Sequence, residues 1–216
     1  MAFTKAAAET TVSIKPANIV RARVRIVGTA PYMQNKFSHK AKLKMMADME
    51  TPANQKKARS ARTARNYDDD FLQAQHISSE GWNGIPCPAF RAAMVDACRV
   101  AGAVMTKAKM SVFVIPDGFD RDDATPLVKI ISGPPKRHEG LVRNSNGSAD
   151  VRIRPIWHEW EANVLLEYDA DQMTGESVVN LLDRAGRQIG IGEGRPFSKD
   201  SVGLGLGTFM VVPQGE

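Results

Sequence analysis

The sequence predicts an α+β fold with four strands and two helices in the order strand, helix, strand, strand, helix, strand. Three observations carry this. NIVRARVRIVG (residues 18–28) strictly alternates apolar and basic side chains, the period of a half-buried strand. GIPCPAFRAAMVDACRVAG and TGESVVNLLDRAG space their apolar residues as two helices with one buried face each. Alternating or apolar runs then supply strands between and after them.

Taken in order, Val20, Ala22, Val24 and Ile26 of the first strand point inward, and Arg21, Arg23 and Arg25 point out. The helix at 88–101 starts on Pro88, presents Phe90, Met94, Ala97, Cys98 and Ala101 as its stripe, and can end at Gly102. KMSVFVIPDG suggests a strand at 110–116, and EWEANVLLEYD a strand at 159–168 with Ala162, Val164, Leu166 and Tyr168 on one face. Thr174 is placed to cap the helix at 174–185, Val178, Leu181, Leu182 and Ala185 form its stripe, and Gly186 is placed to terminate it. GTFMVVP closes the core as a strand at 206–212. This is the order of a ferredoxin-like (RRM-like) βαββαβ core, a four-stranded antiparallel sheet with both helices on one face. The whole chain, 1–216, then reads as one domain with two long insertions.

The first insertion, 30–85, holds a short helix, HKAKLKMMADME, whose Met45, Met46 and Met49 could dock while Lys40 and Lys44 face outward. NQKKARSARTARN follows with no apolar side chain larger than alanine, too little to offset the entropy of ordering it, so it is expected to stay mobile until a partner binds. YDDDFLQAQHIS reads as another short helix with acids at its start. The second insertion, 117–157, includes the strand PLVKIIS and an extended hairpin rich in turn formers.

Charge is unevenly placed. Residues 36–65 carry nine Lys or Arg against Asp48 and Glu50, within a chain whose total is only +5, so the remainder is slightly acidic. Clustered cations suit a polyanion, because meeting phosphates releases condensed counterions. The alternative is a solvated basic loop. No run approaches the roughly 20 apolar residues of a membrane span, and MAFTKAAAETTVSIKP lacks a signal peptide's apolar stretch. A cytoplasmic location without membrane contact is therefore expected. Cys87 and Cys98 match neither a disulfide framework nor a zinc spacing and read as small core residues.

Gly186 to Val212 holds seven of the 17 glycines. Gly190, Gly192 and Gly194 follow a helix rather than a strand and Pro196 comes next, which excludes a dinucleotide fingerprint, and no Gly-Lys-Ser/Thr follows for a nucleotide-hydrolase loop. Glycines can instead let another backbone or a phosphodiester chain approach closely. Arg187, Arg195 and Lys199 bring charge to the same loop. A flexible structural turn is the alternative.

Among His39, His76, His138 and His158, His39 sits nearest to Tyr32, Lys36 and Lys40 and is the candidate general base for metal-independent RNA cleavage, although a surface histidine fits as well. Asp68, Asp69 and Asp70 cannot all face one site, and Asp117, Asp120, Asp122 and Asp123 do not follow a calcium loop, so neither metal nor cofactor is expected. Bases of a single strand stack on aromatics. Tyr32, Phe37 and Trp157, interleaved with Lys36, Arg152 and Arg154, are the candidates. In the predicted topology the outward arginines of the first strand face Glu161, Asn163, Leu165 and Glu167 of the third, so cross-strand ion pairing competes with nucleic-acid binding there.

The ferredoxin-like order, the GIPCPAFRAAM start of the first helix, and a glycine loop with GIG (Gly190–Gly192) and GLG (Gly203–Gly205) together resemble the RAMP superfamily of CRISPR-associated proteins, most of all its backbone subunits. The loop departs from the family's pattern, since ten residues separate the two triplets where about five are usual. The resemblance implies single-stranded RNA binding and head-to-tail assembly. The expected partner is thus single-stranded RNA or DNA, bound by a homo-oligomer or a subunit of a ribonucleoprotein. Lys56, Lys57, Arg59, Arg62 and Arg65 would grip phosphates, with the strand arginines and Gly190, Gly192, Gly203 and Gly205 positioning the backbone. The alternatives are a metal-independent guide-RNA-processing endonuclease and a protein-binding mimic of a backbone subunit.

Overall fold

The computed structural model describes residues 14–37, 39–50, 65–143, 147–197 and 203–213. Within them the protein is mixed α+β, built on a four-stranded antiparallel sheet with several helices. In chain order the elements are β1 (Ile19–Gly28), β2 (Tyr32–Met33), α1 (His39–Glu50), α2 (Tyr67–Gln73), β3 (Gly84–Pro86), α3 (Cys87–Ala101) and α4 (Met105–Ser111). They continue as β4 (Val112–Ile115), β5 (Gly118–Phe119), β6 (Pro126–Lys129), β7 (Lys136–Arg143), β8 (Ala149–Trp157), β9 (Glu161–Asp169), α5 (Gly175–Arg184) and β10 (Phe209–Val211).

The main sheet runs β10-β1-β9-β4. Its centre is the ladder from Ile19↔Asp169 to Val27↔Glu161. Alternation sorts this ladder into two faces: Val24 and Ile26 meet Val164 and Ala162 on the buried side, while Arg21, Arg23 and Arg25 lie on the other. The buried side packs on α3 and α5, through Phe90, Met94, Ala97 and Cys98 from one and Val178, Leu181 and Leu182 from the other. Two three-stranded sheets, β2-β8-β7 and β3-β6-β5, flank it. The second joins the main sheet through the Ile130↔Ala162 bridge.

Local chemistry sets the helix limits. Pro88 lies in the first turn of α3, and Gly102 ends it in the left-handed conformation. Thr174 caps α5 by accepting from the Ser177 amide. Asn66 caps α2, accepting from Asp68 and Asp69, and the acids occupy the first turn. The predicted strand at 110–116 begins two residues later, because Met110 and Ser111 finish α4. Arg91 from α3 fixes that end by donating to the carbonyls of Lys109 and Val112. Gly186 does not stop α5: the chain continues through a π-helical turn, Ala185–Ile189, and ends at Gly190. Gly186 is instead where that turn presses on β10, since a Cβ there would lie 2.3 Å from the Phe209 carbonyl oxygen. Met45, Met46 and Met49 of α1, expected to dock, are exposed, Met49 at 78%.

The glycine loop is bonded by backbone both to itself and to the segment around β2. Ile191 donates to the Gly207 carbonyl, Gly207 to Pro31, Glu193 to Met33, and Leu206 to Gly194. β10 is therefore shorter than the predicted 206–212: Gly207 is occupied by a buried turn with φ of 66°, and pairing with β1 is confined to Ile26–Gly28. A Cβ on Gly207 would sit 1.7 Å from the Ile191 carbonyl oxygen, whereas Gly205, with φ of 74°, has nothing within 4 Å. Gly205→Ala is expected to cost about 1 to 2 kcal/mol of unfolding free energy from backbone strain alone. Gly207→Ala should cost about 2 kcal/mol more, because the loop must also open to admit the methyl. Urea unfolding of the two variants checks this, and equal costs would contradict the packing described.

Candidate nucleic-acid interface and a histidine-lined cavity

The open face of the main sheet presents the β1 arginines. Arg21 Nε lies 2.8 Å from Glu167 and an Arg25 terminal nitrogen 2.5 Å from Glu161, both across to β9. Arg23, between them, stands opposite Leu165. Arg21 and Arg25 keep more than half of their side-chain surface open to water. Ion pairs this open contribute about 0 to 1 kcal/mol each, so they hold the side chains in a row without committing them.

The β7-β8 hairpin is tied to its surroundings by charge. Arg154 Nε reaches Glu193 of the glycine loop at 2.5 Å, and Arg152 lies 3.9 Å from Asp150. Arg65 contacts Asp70 and Asp150, Arg137 contacts Asp68 and Glu139, and both guanidinium groups lie over the Tyr67 ring. Arg187 pairs with Asp183 at 2.6 Å.

Two aromatic candidates belong to the core. Tyr32 and Trp157 are each 2% exposed, and their rings pack 5.6 Å apart. Burial pushes the Tyr32 phenol well above its ordinary value, so it stays neutral. Neither can stack on a base without unfolding its surroundings. Phe37, by contrast, is 62% exposed.

Lys36 is the largest departure from expectation. Its ammonium is buried between Asp120 and Asp122, 2.7 Å from each. Burial opposes its charge, but the bonds and charges of the two aspartates outweigh that and hold it above the usual 10.5. Burial also opposes the Asp120 carboxylate, yet Lys36, the Asp122 amide and His76 keep it below 3.8. Asp120 thus holds the His76 ring at Nδ1, at 2.9 Å. Burial is the largest influence on His76 and draws it below 6.5, so the imidazole is neutral at pH 7.

His76 lines a cavity of about 430 Å³ together with Tyr32, Gln34, Ala89, Glu193 and Arg195. Gln34 is buried and fully engaged: it donates to the Tyr32 hydroxyl and the Gly84 carbonyl and accepts from the His76 amide. With Nδ1 engaged by Asp120, Nε2 is the nitrogen available to the cavity, and Arg195 brings a cation to the same space. A neutral, oriented imidazole beside a cation can accept a proton where negative charge develops.

Structure and sequence divide the glycine loop differently. Gly190 and Gly192 are filled against Pro196, Met33 and Tyr32, while Gly203 and Gly205 are exposed, a Cβ on Gly203 lying 4.0 Å from the Pro196 carbonyl oxygen and one on Gly205 meeting nothing within 4 Å. Lys56, Lys57, Arg59, Arg62 and Lys199 lie outside the described residues, as do the side chains of His39, Lys40 and Lys44. His76 and Asp120 are 44 positions apart, and no local spacing links them. Among the described residues no group of three or more His, Cys, Asp or Glu could hold a metal ion, and no helix is long and apolar enough to cross a membrane. No family model and no curated protein matches the chain.

Lys36→Met is expected to cost about 3 to 5 kcal/mol, because it strands a buried carboxylate, whereas Arg21→Ala costs about 1 kcal/mol or less. Denaturant unfolding compares them. The unfolded chain protonates His76 more readily than the folded one, so stability should fall as pH drops below 6.5. His76→Gln should remove that part of the pH dependence.

Proposed function

We propose that this protein is a non-catalytic, single-stranded nucleic-acid-binding protein, RNA before DNA, that assembles as repeated subunits along the strand. Its core is ferredoxin-like, of the kind found in RAMP-superfamily backbone subunits. The β10-β1-β9-β4 order, with α3 and α5 against one face, supports that description. The observation that carries the binding reading is the row Arg21, Arg23 and Arg25 on the open face of a central strand. Alternate strand residues stand about 6.7 Å apart, a repeat that suits an extended phosphodiester chain. The weak pairs with Glu161 and Glu167 can exchange for phosphates at small cost. Lys36 aside, the cations of residues 36–65 supply the bulk of the counterion release.

Binding should therefore weaken steeply with salt. Fluorescence anisotropy on a labelled single strand is expected to give a linear fall of log affinity with log salt. Replacing all three β1 arginines by Ala should reduce the slope by about 2, at about 0.7 for each phosphate no longer neutralised. No binding at low salt defeats the reading.

One observation favours a second reading, metal-independent RNA cleavage: the Asp120-held His76 at the cavity. There Nε2 would take the proton of a 2′-hydroxyl whose oxygen bonds to phosphorus, the 5′-oxygen leaving with a proton from water. This reading moves the base from His39 to His76. It expects cleavage of single-stranded RNA in the presence of a chelator, absent for a 2′-deoxy substrate and lost in His76→Gln. RNA left intact by the wild-type protein removes it.

A further inference from the structure

Helix α1 is 12 residues long, and among the described residues no other helix or strand packs along it. A helix of that length is marginal in water unless something covers it. Its second half, Met45 to Glu50, carries three methionines and two acids, Asp48 and Glu50, and no base. Met45, Met46 and Met49 share one face by their three- and four-residue spacing, and all are exposed, Met49 most.

A groove of about 570 Å³ lies between α3, α4 and the edge strand β4. Val95, Met105 and Phe113 form apolar parts of its lining, and Arg91, Arg99 and Lys109 form basic ones. Arg91 hydrogen-bonds to the carbonyls of Lys109 and Val112 and lies over the Phe113 ring, so backbone and ring hold its charge at the groove. The single acid on the lining, Asp96, is 3.9 Å from Arg99.

We infer that the Met45–Met46–Met49 face of α1 docks in this groove on a second copy of the chain, with Asp48 and Glu50 against Arg99 and Lys109. Methionine is the side chain that adapts best to an irregular apolar groove. The match is of one surface with a different one, so each copy keeps a free α1 and a free groove, and the contact extends into a row. The inference rests on the reading of the chain as a repeated subunit. One helix in one groove is small beside a stable interface, so association should be weak in free protein and stronger for copies held side by side on a strand.

Sedimentation velocity on nuclease-treated, full-length protein over a wide concentration range tests this. Concentration-dependent association is expected, weakened about tenfold or more in Met46→Glu/Met49→Glu. Asp48→Lys/Glu50→Lys should weaken it similarly, and adding Arg99→Glu/Lys109→Glu to the latter should restore it. Unfolding curves confirm that each variant folds. A monomer at all concentrations, or association untouched by these changes, overturns the inference. Single-strand binding without association leaves the nucleic-acid reading intact while sinking this one. Association through the groove without strand binding does the reverse.

Discussion

The contact on which the rest depends is Trp160 lying over Gly28. A Cβ on Gly28 would fall 2.2 Å from the indole nitrogen, so the ring occupies the space a side chain would take. The two residues are also tied by backbone, Gly28 donating to the Trp160 carbonyl, and the indole donates to Ala30. This fixes the register of β1 on β9 at the point where β1 ends, and so decides which side chains of each strand face the helices. Trp160 then packs against Tyr32 and, edge-on, against Phe209, whose ring meets Phe90 of α3. β2, β10 and α3 therefore all meet in one aromatic cluster.

Much of this was legible because it is local. The alternation of β1 and β9, most of the stripe of α3 and the Thr174 cap follow from neighbouring residues, although Val20 and Ala101, both read as inward, are exposed where β1 and α3 run past the core. The hairpin of β7 and β8 likewise announced itself by its turn formers. What was hidden depends on distant partners. Met110 and Ser111 look like strand residues until Arg91, about twenty positions earlier, holds the end of α4. Gly186 has the look of a terminator until Phe209 is packed against it. Lys36 counts as a surface cation in any sum of charges, yet Asp120, 84 positions on, takes it inside.

That last displacement changes how the basic segment is understood. Lys36 belongs to an internal clamp: the ammonium joins the segment between β2 and α1 to the turn around Asp120 and Asp122, and Asp120 passes the constraint to His76. A buried pair of this sort contributes little net stability relative to an apolar substitute, but it is costly to break. Its effect is positional. It anchors the chain three residues before α1 begins, and it holds His76 in one orientation at the cavity.

The glycine loop shows the same division between inside and outside. Gly190, Gly192 and Gly207 let three backbone segments lie against one another with Ile191 and Phe209 buried beneath. That use needs no ligand and explains why the loop is glycine-rich so near the last strand. Gly205 is not packed in this way and stands on the surface at positive φ with nothing within 4 Å of a Cβ built there, while at Gly203, also exposed and at positive φ, a Cβ would lie 4.0 Å from the Pro196 carbonyl oxygen. Internal packing therefore accounts for the first triplet and for Gly207, whereas at Gly203 and Gly205 the positive φ is what calls for glycine.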